Sequence, residues 1–224
     1  MKKILISILI ASLFVVSPVQ AQSSKEQQKE RSEQVKQQRK ELDKKAAKDA
    51  RKQAKQYKKE GWKVTPGSLT LEKQLDRSMR MANEFDDSGY PLYVIGEGMS
   101  VGETFDAAKM QATEIARQDI ASKLHQEVAS LVESFIANEQ LSSEEAASVV
   151  QTVSESKSLI SQSFGRIITV VEAYRDLENG NKEVLVRAAY NEKMGIESAK
   201  NAIRRELKKK GDELSKDVDN FLSL

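Results

Sequence analysis

Apolar residues recur every three or four positions in several stretches of the chain, which predicts amphipathic helices. Ser68 or Thr70 is placed to cap the first of these helices, since either hydroxyl can accept a backbone N–H from the first turn. The longest helix has an apolar face thickened by alanines, which suits close packing against a sheet. The helices predicted in this way cover residues 69–85, 103–136, 142–153 and about 192–221.

Segments rich in β-branched and aromatic residues predict about three strands, at residues 90–98, 164–177 and 182–190. Asn179-Gly180 lies between the last two and favours a two-residue hairpin turn in which both residues have positive φ. Such a turn pairs Glu178 with Asn181 and places Arg187 directly across from Glu172.

The same register predicts which strand residues share a side of the sheet. Val184, Val186 and Ala188 then face the same side as Val171 and Ala173. The other side still carries apolar residues, so we expect a further helix or a second subunit to cover part of it. Together these elements predict an α+β fold, with a small antiparallel or mixed sheet packed on long helices.

Residues 1–21 have the three-part pattern of a secretory signal peptide. Lys2 and Lys3 precede 13 uncharged residues that begin at Ile4, and a small-residue cleavage site ends at Ala21. A membrane-spanning helix needs about 20 apolar residues, so this run is too short to serve as an anchor. We expect cleavage after Ala21 and no transmembrane anchor in the mature chain.

Residues 22–60 form a charged segment that differs in composition from the rest of the chain. It holds 14 basic residues, 7 acidic residues and 8 glutamines, with neither glycine nor proline. These residue types favour helix, so an extended charged N-terminal helix is predicted. Its thin apolar stripe is mostly alanine, buries little area and does not sustain the heptads of a coiled coil. The predicted division is therefore signal peptide 1–21, charged helical segment 22–60 and α+β domain 61–224.

The charge balance hides an asymmetry between these parts. The chain has 36 basic and 34 acidic residues, and loss of Lys2 and Lys3 makes the mature protein neutral. The charged segment then has a net charge of +7 and residues 61–224 have a net charge of −7. Such asymmetry favours docking of the segment on its own domain or on a neighbouring copy. A solvated spacer is the favoured interpretation of the segment, and the alternative is that it binds an acidic surface such as anionic lipid or a cell-wall polymer. Nucleic acid is not an expected partner, because Tyr57 is the one aromatic residue of the segment and the chain is expected to be exported.

The composition also excludes several kinds of chemistry. The chain has no cysteine, which rules out disulfides, thiolate metal sites, a cysteine nucleophile and a lipid anchor on cysteine. Its single histidine, His125, cannot build a site with several histidine ligands, and no serine lies in a nucleophile elbow. We expect a protein that is not an enzyme, with no metal, cofactor or catalytic residue.

One glycine motif is a candidate ligand site. Gly96, Gly98 and Gly102 lie between a predicted strand and a predicted helix. A dinucleotide fingerprint has its third glycine one residue earlier, so the spacing favours a simple turn at a strand end. The alternative is a small anionic ligand held by the backbone of this turn.

Residues 90–190 combine a glycine-bearing strand, an alanine-spaced helix with an Ala-Arg pair, and a later hairpin: Tyr93-Val94-Ile95-Gly96-Glu97-Gly98, Ala107, Ala108, Ala112, Ala116-Arg117, Ile120-Ala121 and residues 164–190. This pattern resembles a small envelope lipoprotein family that includes the flagellar outer-membrane proteins FlgP and FlgT. The resemblance implies a non-enzymatic, often oligomeric envelope protein associated with the outer membrane or cell wall. These relatives usually carry a lipidated cysteine, which this chain lacks.

These patterns together predict an exported structural or interaction protein of the cell envelope. We expect it in the periplasm, at the outer membrane or in the medium, with cell-wall or outer-membrane proteins as contacts. It is expected to form homo-oligomers, through the charged segment or through the apolar side of the sheet. The alternative function is a periplasmic binding protein for a small anionic ligand at residues 96–102.

Overall fold

A computed structural model of the chain describes residues 19–86, 89–138 and 143–210. Within those ranges it confirms the α+β fold and the long charged helix at the N-terminus. The first 18 residues of the predicted signal peptide, and the predicted C-terminal helix beyond Lys210, lie outside the described residues. The elements are α1 Val19–Lys59, α2 Leu71–Ala82, β1 Tyr93–Gly102, α3 Phe105–Asn138, α4 Ser143–Glu155, α5 Lys157–Ser163, β2 Ile168–Asp176, β3 Lys182–Asn191 and α6 Glu192–Lys210.

The chain divides into two compact units, residues 1–41 and 42–224. In the first unit, the described residues 19–41 are helical. The second unit contains the sheet and also residues 42–59 of α1. Part of the predicted charged segment therefore belongs to the α+β unit.

Three antiparallel strands form the sheet, in the order β1-β3-β2. Helix α3 covers one face, which we name the α3 face. There Val184, Val186 and Ala188 of β3 belong to a buried cluster that also contains the α3 residues Ala112 and Ala116. The alanine-spaced helix thus lies on the sheet, as its sequence pattern predicts.

Helices of the same chain also cover the opposite face, which we name the α2 face. Val171, Ala173 and Leu185 are buried there beneath α2, Trp62 and the C-terminal part of α1. Thr70 caps α2, since its hydroxyl accepts the Lys73 N–H, which confirms one of the two predicted caps. The expected covering element is therefore intramolecular.

The predicted hairpin register is wrong by one residue, because the loop has three residues instead of two. The N–H of Leu177 donates to the carbonyl oxygen of Asn181 at 2.9 Å, so these two residues close the ladder. Only Gly180 in the loop has a positive φ, of 85°, which is the arrangement of a type I turn followed by a left-handed glycine.

This shift exchanges the sides of one strand relative to the other. Val171 and Ala173 lie on the α2 face, opposite to the side of Val184, Val186 and Ala188. The predicted pair of Arg187 with Glu172 is also absent. Arg187 instead binds Glu97 of β1, and Glu172 binds Lys109 of α3 at 2.8 Å.

Candidate interaction site at the free edge of strand β1

The three glycines of the predicted ligand turn lie inside β1, and no turn separates them. Helix α3 occupies the space beside them. A Cβ atom on Gly96 or Gly98 would come closer than 3.0 Å to a backbone carbonyl oxygen of α3. The glycines therefore allow the backbones of α3 and β1 to approach closely, which explains their spacing without a ligand.

Strand β1 has a neighbour on one side only, so its other side is an edge of the sheet. Backbone groups alternate along a strand, and those of residues 95, 97, 99 and 101 point away from β3. Two α3 side chains occupy the first half of this edge. Asp119 accepts the Glu97 N–H at 3.0 Å, and the Lys123 ammonium donates to the Ile95 carbonyl oxygen at 2.7 Å.

The second half of the β1 edge is free. Within the ranges that the structure describes, no hydrogen bond reaches the outward N–H and C=O groups of Met99 and Val101. Their side chains are 44 % and 45 % exposed on the α2 face. Ile115, which lies beside Gly98 on the α3 face, is 37 % exposed. Apolar side chains thus flank the free backbone on both faces, and we name Met99, Val101 and Ile115 the edge site.

The opposite edge of the sheet, formed by β2, has groups of the same chain bound at two of its residues. Lys63 exchanges two backbone hydrogen bonds with Tyr174 of β2, at 2.7 and 2.8 Å. The side-chain oxygen of Gln74 accepts the N–H of Glu172 at 2.7 Å. Proteins commonly block edge strands in this way, because an open edge pairs with other chains. The β2 edge is thus blocked at Glu172 and Tyr174, whereas the edge site leaves the backbone of β1 open to pairing with another strand.

A groove of about 770 Å³ lies on the outer side of α3, next to the closed half of the β1 edge. Three of its carboxylates are already paired with cations: Asp119 with Lys123 at 2.8 Å, Glu114 with Arg117 at 3.7 Å and Glu97 with Arg187. This pairing reduces the charge available to a ligand.

The described residues do not bring metal-ligating side chains together. They contain no group of three or more His, Asp or Glu side chains placed to hold a metal ion. His125 is half-buried, and its Nε2 lies 2.7 Å from the carbonyl oxygen of Val153. The ring therefore links α3 to α4.

Comparison of the chain with protein-family models, curated proteins and solved structures finds no match. The resemblance of residues 90–190 to envelope lipoproteins therefore stays a prediction. In the part of the chain that the structure describes, no helix has the length and apolar character needed to cross a membrane.

Sequence reasoning missed the edge site because it ended the strand at Gly98. Glycines at 96, 98 and 102 indicated a turn, yet they alternate with Glu97, Met99 and Val101 in the period of two that marks a strand. The small residues face the helix and the larger ones face away from it. That alternation is the signal that could have extended the strand to Gly102.

Proposed function

We propose that this chain is an exported structural or interaction protein of the cell envelope that is not an enzyme and self-associates through the edge site. The observation that carries the proposal is the uncovered backbone of Met99 and Val101, flanked by exposed apolar side chains. Two copies related by a two-fold axis would present the same edge to each other, as an isologous interface requires.

The pairing follows from which backbone groups are free. With the two-fold axis near Ser100, Met99 of one copy lies opposite Val101 of the other in an antiparallel ladder. Two three-stranded sheets then join into one continuous sheet. Asp119 and Lys123 limit the pairing to the end of β1, because they occupy the backbone groups at Glu97 and Ile95.

The coverage of the sheet supports an edge contact over a face contact. The expected apolar second side is buried beneath α1 and α2 of the same chain, so it does not call for a second subunit. The β2 edge is occupied by Lys63 and Gln74. The edge site combines open backbone groups with exposed apolar side chains, which favours it for an intermolecular contact.

Light scattering on the purified protein at rising concentration tests self-association. The wild type is expected to dimerise, and the double variant Met99→Lys with Val101→Lys is expected to stay monomeric, because lysines on an edge oppose strand pairing. Met110→Lys is the matched control, since Met110 is 75 % exposed on α3 and lies outside the edge site. A monomeric wild type, or equal masses for wild type and double variant, would refute the proposal.

Export has its own support in the pattern of residues 1–21, and it is tested separately. Cell fractionation should recover the protein outside the cytoplasm, with Gln22 as its N-terminal residue by mass spectrometry. A cytoplasmic protein that retains residues 1–21 would contradict export and leave the edge pairing to be judged by its own experiment.

A further inference from the structure

Residues 42–59 of α1 have one face fixed against the rest of the α+β unit. Ala46, Ala50 and Ala54 are buried there, and the last two pack with residues of the α2 face. Two ion pairs with α2 hold the same segment, Asp43 with Arg80 and Arg51 with Glu72 at 3.1 Å. The alanine contacts therefore determine which face of this helix is turned to solvent.

The solvent face carries a row of lysines. Lys44, Lys48, Lys52, Lys55 and Lys59 follow one another at intervals of three or four residues, which keeps them on one side of the helix. We name these five residues the lysine row; at 1.5 Å per residue, it extends for about 22 Å. Every member is exposed, and no ion pair joins any of them to another described residue.

Like charges at this spacing repel one another along a helix and lower its stability. The acids do not offset the repulsion, because residues 44–59 carry one acid, Asp49, against eight basic residues, and Asp43 just before them already binds Arg80. Lys45 and Lys58 flank the row and are also exposed, which adds to the charge. A partner that supplies many negative charges along a straight line would relieve this repulsion.

The residue types in the row favour a particular kind of anionic partner. Lysine binds as a point charge and lacks the planar fork with which arginine recognises one phosphate or carboxylate in a fixed geometry. Nucleic-acid bases bound along the row could not stack on Tyr57. Its ring lies 5.9 Å from that of Trp62, on the packed side of the helix. The row lacks apolar members, so it is not built to insert into hydrocarbon.

We propose that the lysine row binds the headgroup surface of a bilayer containing anionic phospholipids, with residues 44–59 of α1 lying along that surface. Two anionic partners can be compared, a membrane surface and a folded acidic protein. The phosphates of a membrane can move to meet a row of point charges, whereas the carboxylates of a folded protein are fixed in a specific geometry. The contact is electrostatic and peripheral. It uses neither the edge site nor any substrate, so it does not depend on self-association.

Vesicle co-sedimentation of the purified protein tests this contact. The probes are vesicles of phosphatidylcholine alone and vesicles in which about a third of the lipid is phosphatidylglycerol. The test variant is Lys48→Gln, Lys52→Gln, Lys55→Gln, which keeps good helix formers on the exposed face. The control is Lys157→Gln, Arg166→Gln, Lys193→Gln, which removes the same charge from exposed positions elsewhere. Circular dichroism confirms that each variant keeps its helix content.

We expect wild type and control to bind the anionic vesicles and to be released by salt. The row variant should bind about a hundred-fold less tightly, since each lysine near such a surface contributes roughly a factor of five. Absence of binding by the wild type, undiminished binding by the row variant or an equal loss in the control would overturn the proposal. Salt-sensitive oligomers without vesicle binding, lost in the row variant, would assign the row to a second copy instead.

Discussion

Gly96 and Gly98 control how closely α3 approaches the sheet. A side chain at either position would meet the backbone of α3, which cannot move aside as a flexible side chain can. The alanines at 112 and 116 complete the contact from the helix side. The sequence showed these glycines as a motif. It did not show their role in helix packing, because a strand with alternating glycines and a glycine turn have similar sequence patterns.

Gly98→Ala adds one carbon atom and should therefore lower the free energy of unfolding by a large amount. We expect a loss of about 3 kcal/mol, at the upper end of overpacking costs, because the added Cβ meets the carbonyl oxygen of Ala112. Gly165→Ala is the matched control, since an added Cβ there meets no atom within 4 Å. Urea unfolding of both variants measures the difference, and equal stabilities would contradict the close packing of α3 on β1.

The Asp176 carboxylate, at the end of β2, is contacted by two lysines. Hydrogen bonds from Lys182 and then from Lys63, the latter at 2.9 Å, lower the pKa of Asp176 from 3.8 to about 2. A lowered pKa means that the carboxylate stabilises the fold above about pH 4, and that this contribution is lost as the pH falls through about 2.

An NMR titration of the Asp176 carboxyl group measures this directly. The wild type should titrate near pH 2, and Lys182→Gln should move the midpoint upward because it removes the larger cause. Ordinary titration near 3.8 in the wild type would show that neither lysine contact is maintained in solution.

At the scale of elements, α1 packs through an alanine stripe that is only a weak signal in the sequence. Its alanine stripe indicates little buried area, yet Ala50 is 0 % exposed against the α2 face of the sheet. Small side chains let this helix pack against a cluster that also contains Trp62 and the α2 residues Leu71 and Leu75. The sequence could not show this contact, because it joins residues far apart in the chain that no local pattern connects.

Ala50→Leu should separate α1 from the sheet. Overpacking at a closed alanine position is expected to cost about 2 kcal/mol. Lys48→Leu introduces the same side chain on the exposed face of the same helix and is expected to change stability by less than about 0.5 kcal/mol. Thermal or urea unfolding distinguishes them, and two equal effects would mean that the alanine face is not packed as described.

Other elements were predictable where the local pattern was long and regular. The 3.6-residue period places α3 within two residues of its observed ends, and the hydroxyl at Thr70 marks the start of α2. The short helix α5 was missed, because its seven residues give too few turns for a period to emerge. How much of each sheet edge is blocked was not predictable either, because the blocking groups come from distant residues such as Asp119 and Lys63, which no local pattern connects to the strands.

At the scale of the whole molecule, the near-zero net charge conceals two opposite parts, +7 over residues 22–60 and −7 over residues 61–224. The structure shows that much of the positive charge faces solvent on residues 44–59, within the α+β unit. Helices cover both faces of the sheet, the β2 edge is blocked at Glu172 and Tyr174, and the β1 edge is open at Met99 and Val101. The charged surface and the open edge are the two features on which the proposed membrane contact and the proposed self-association rest.

Pairing of two copies through β1 is the central claim, and an intermolecular distance tests it most directly. The chain has no native cysteine, so Val101→Cys gives a single site for a spin label. Paired strands lie about 4.8 Å apart, so electron spin resonance should give a distance between labels on two copies below about 20 Å. A label at Glu178→Cys, in the loop between β2 and β3, should give a longer distance. No coupling between labels at position 101 in the associated protein, or a shorter distance at position 178, would contradict the account.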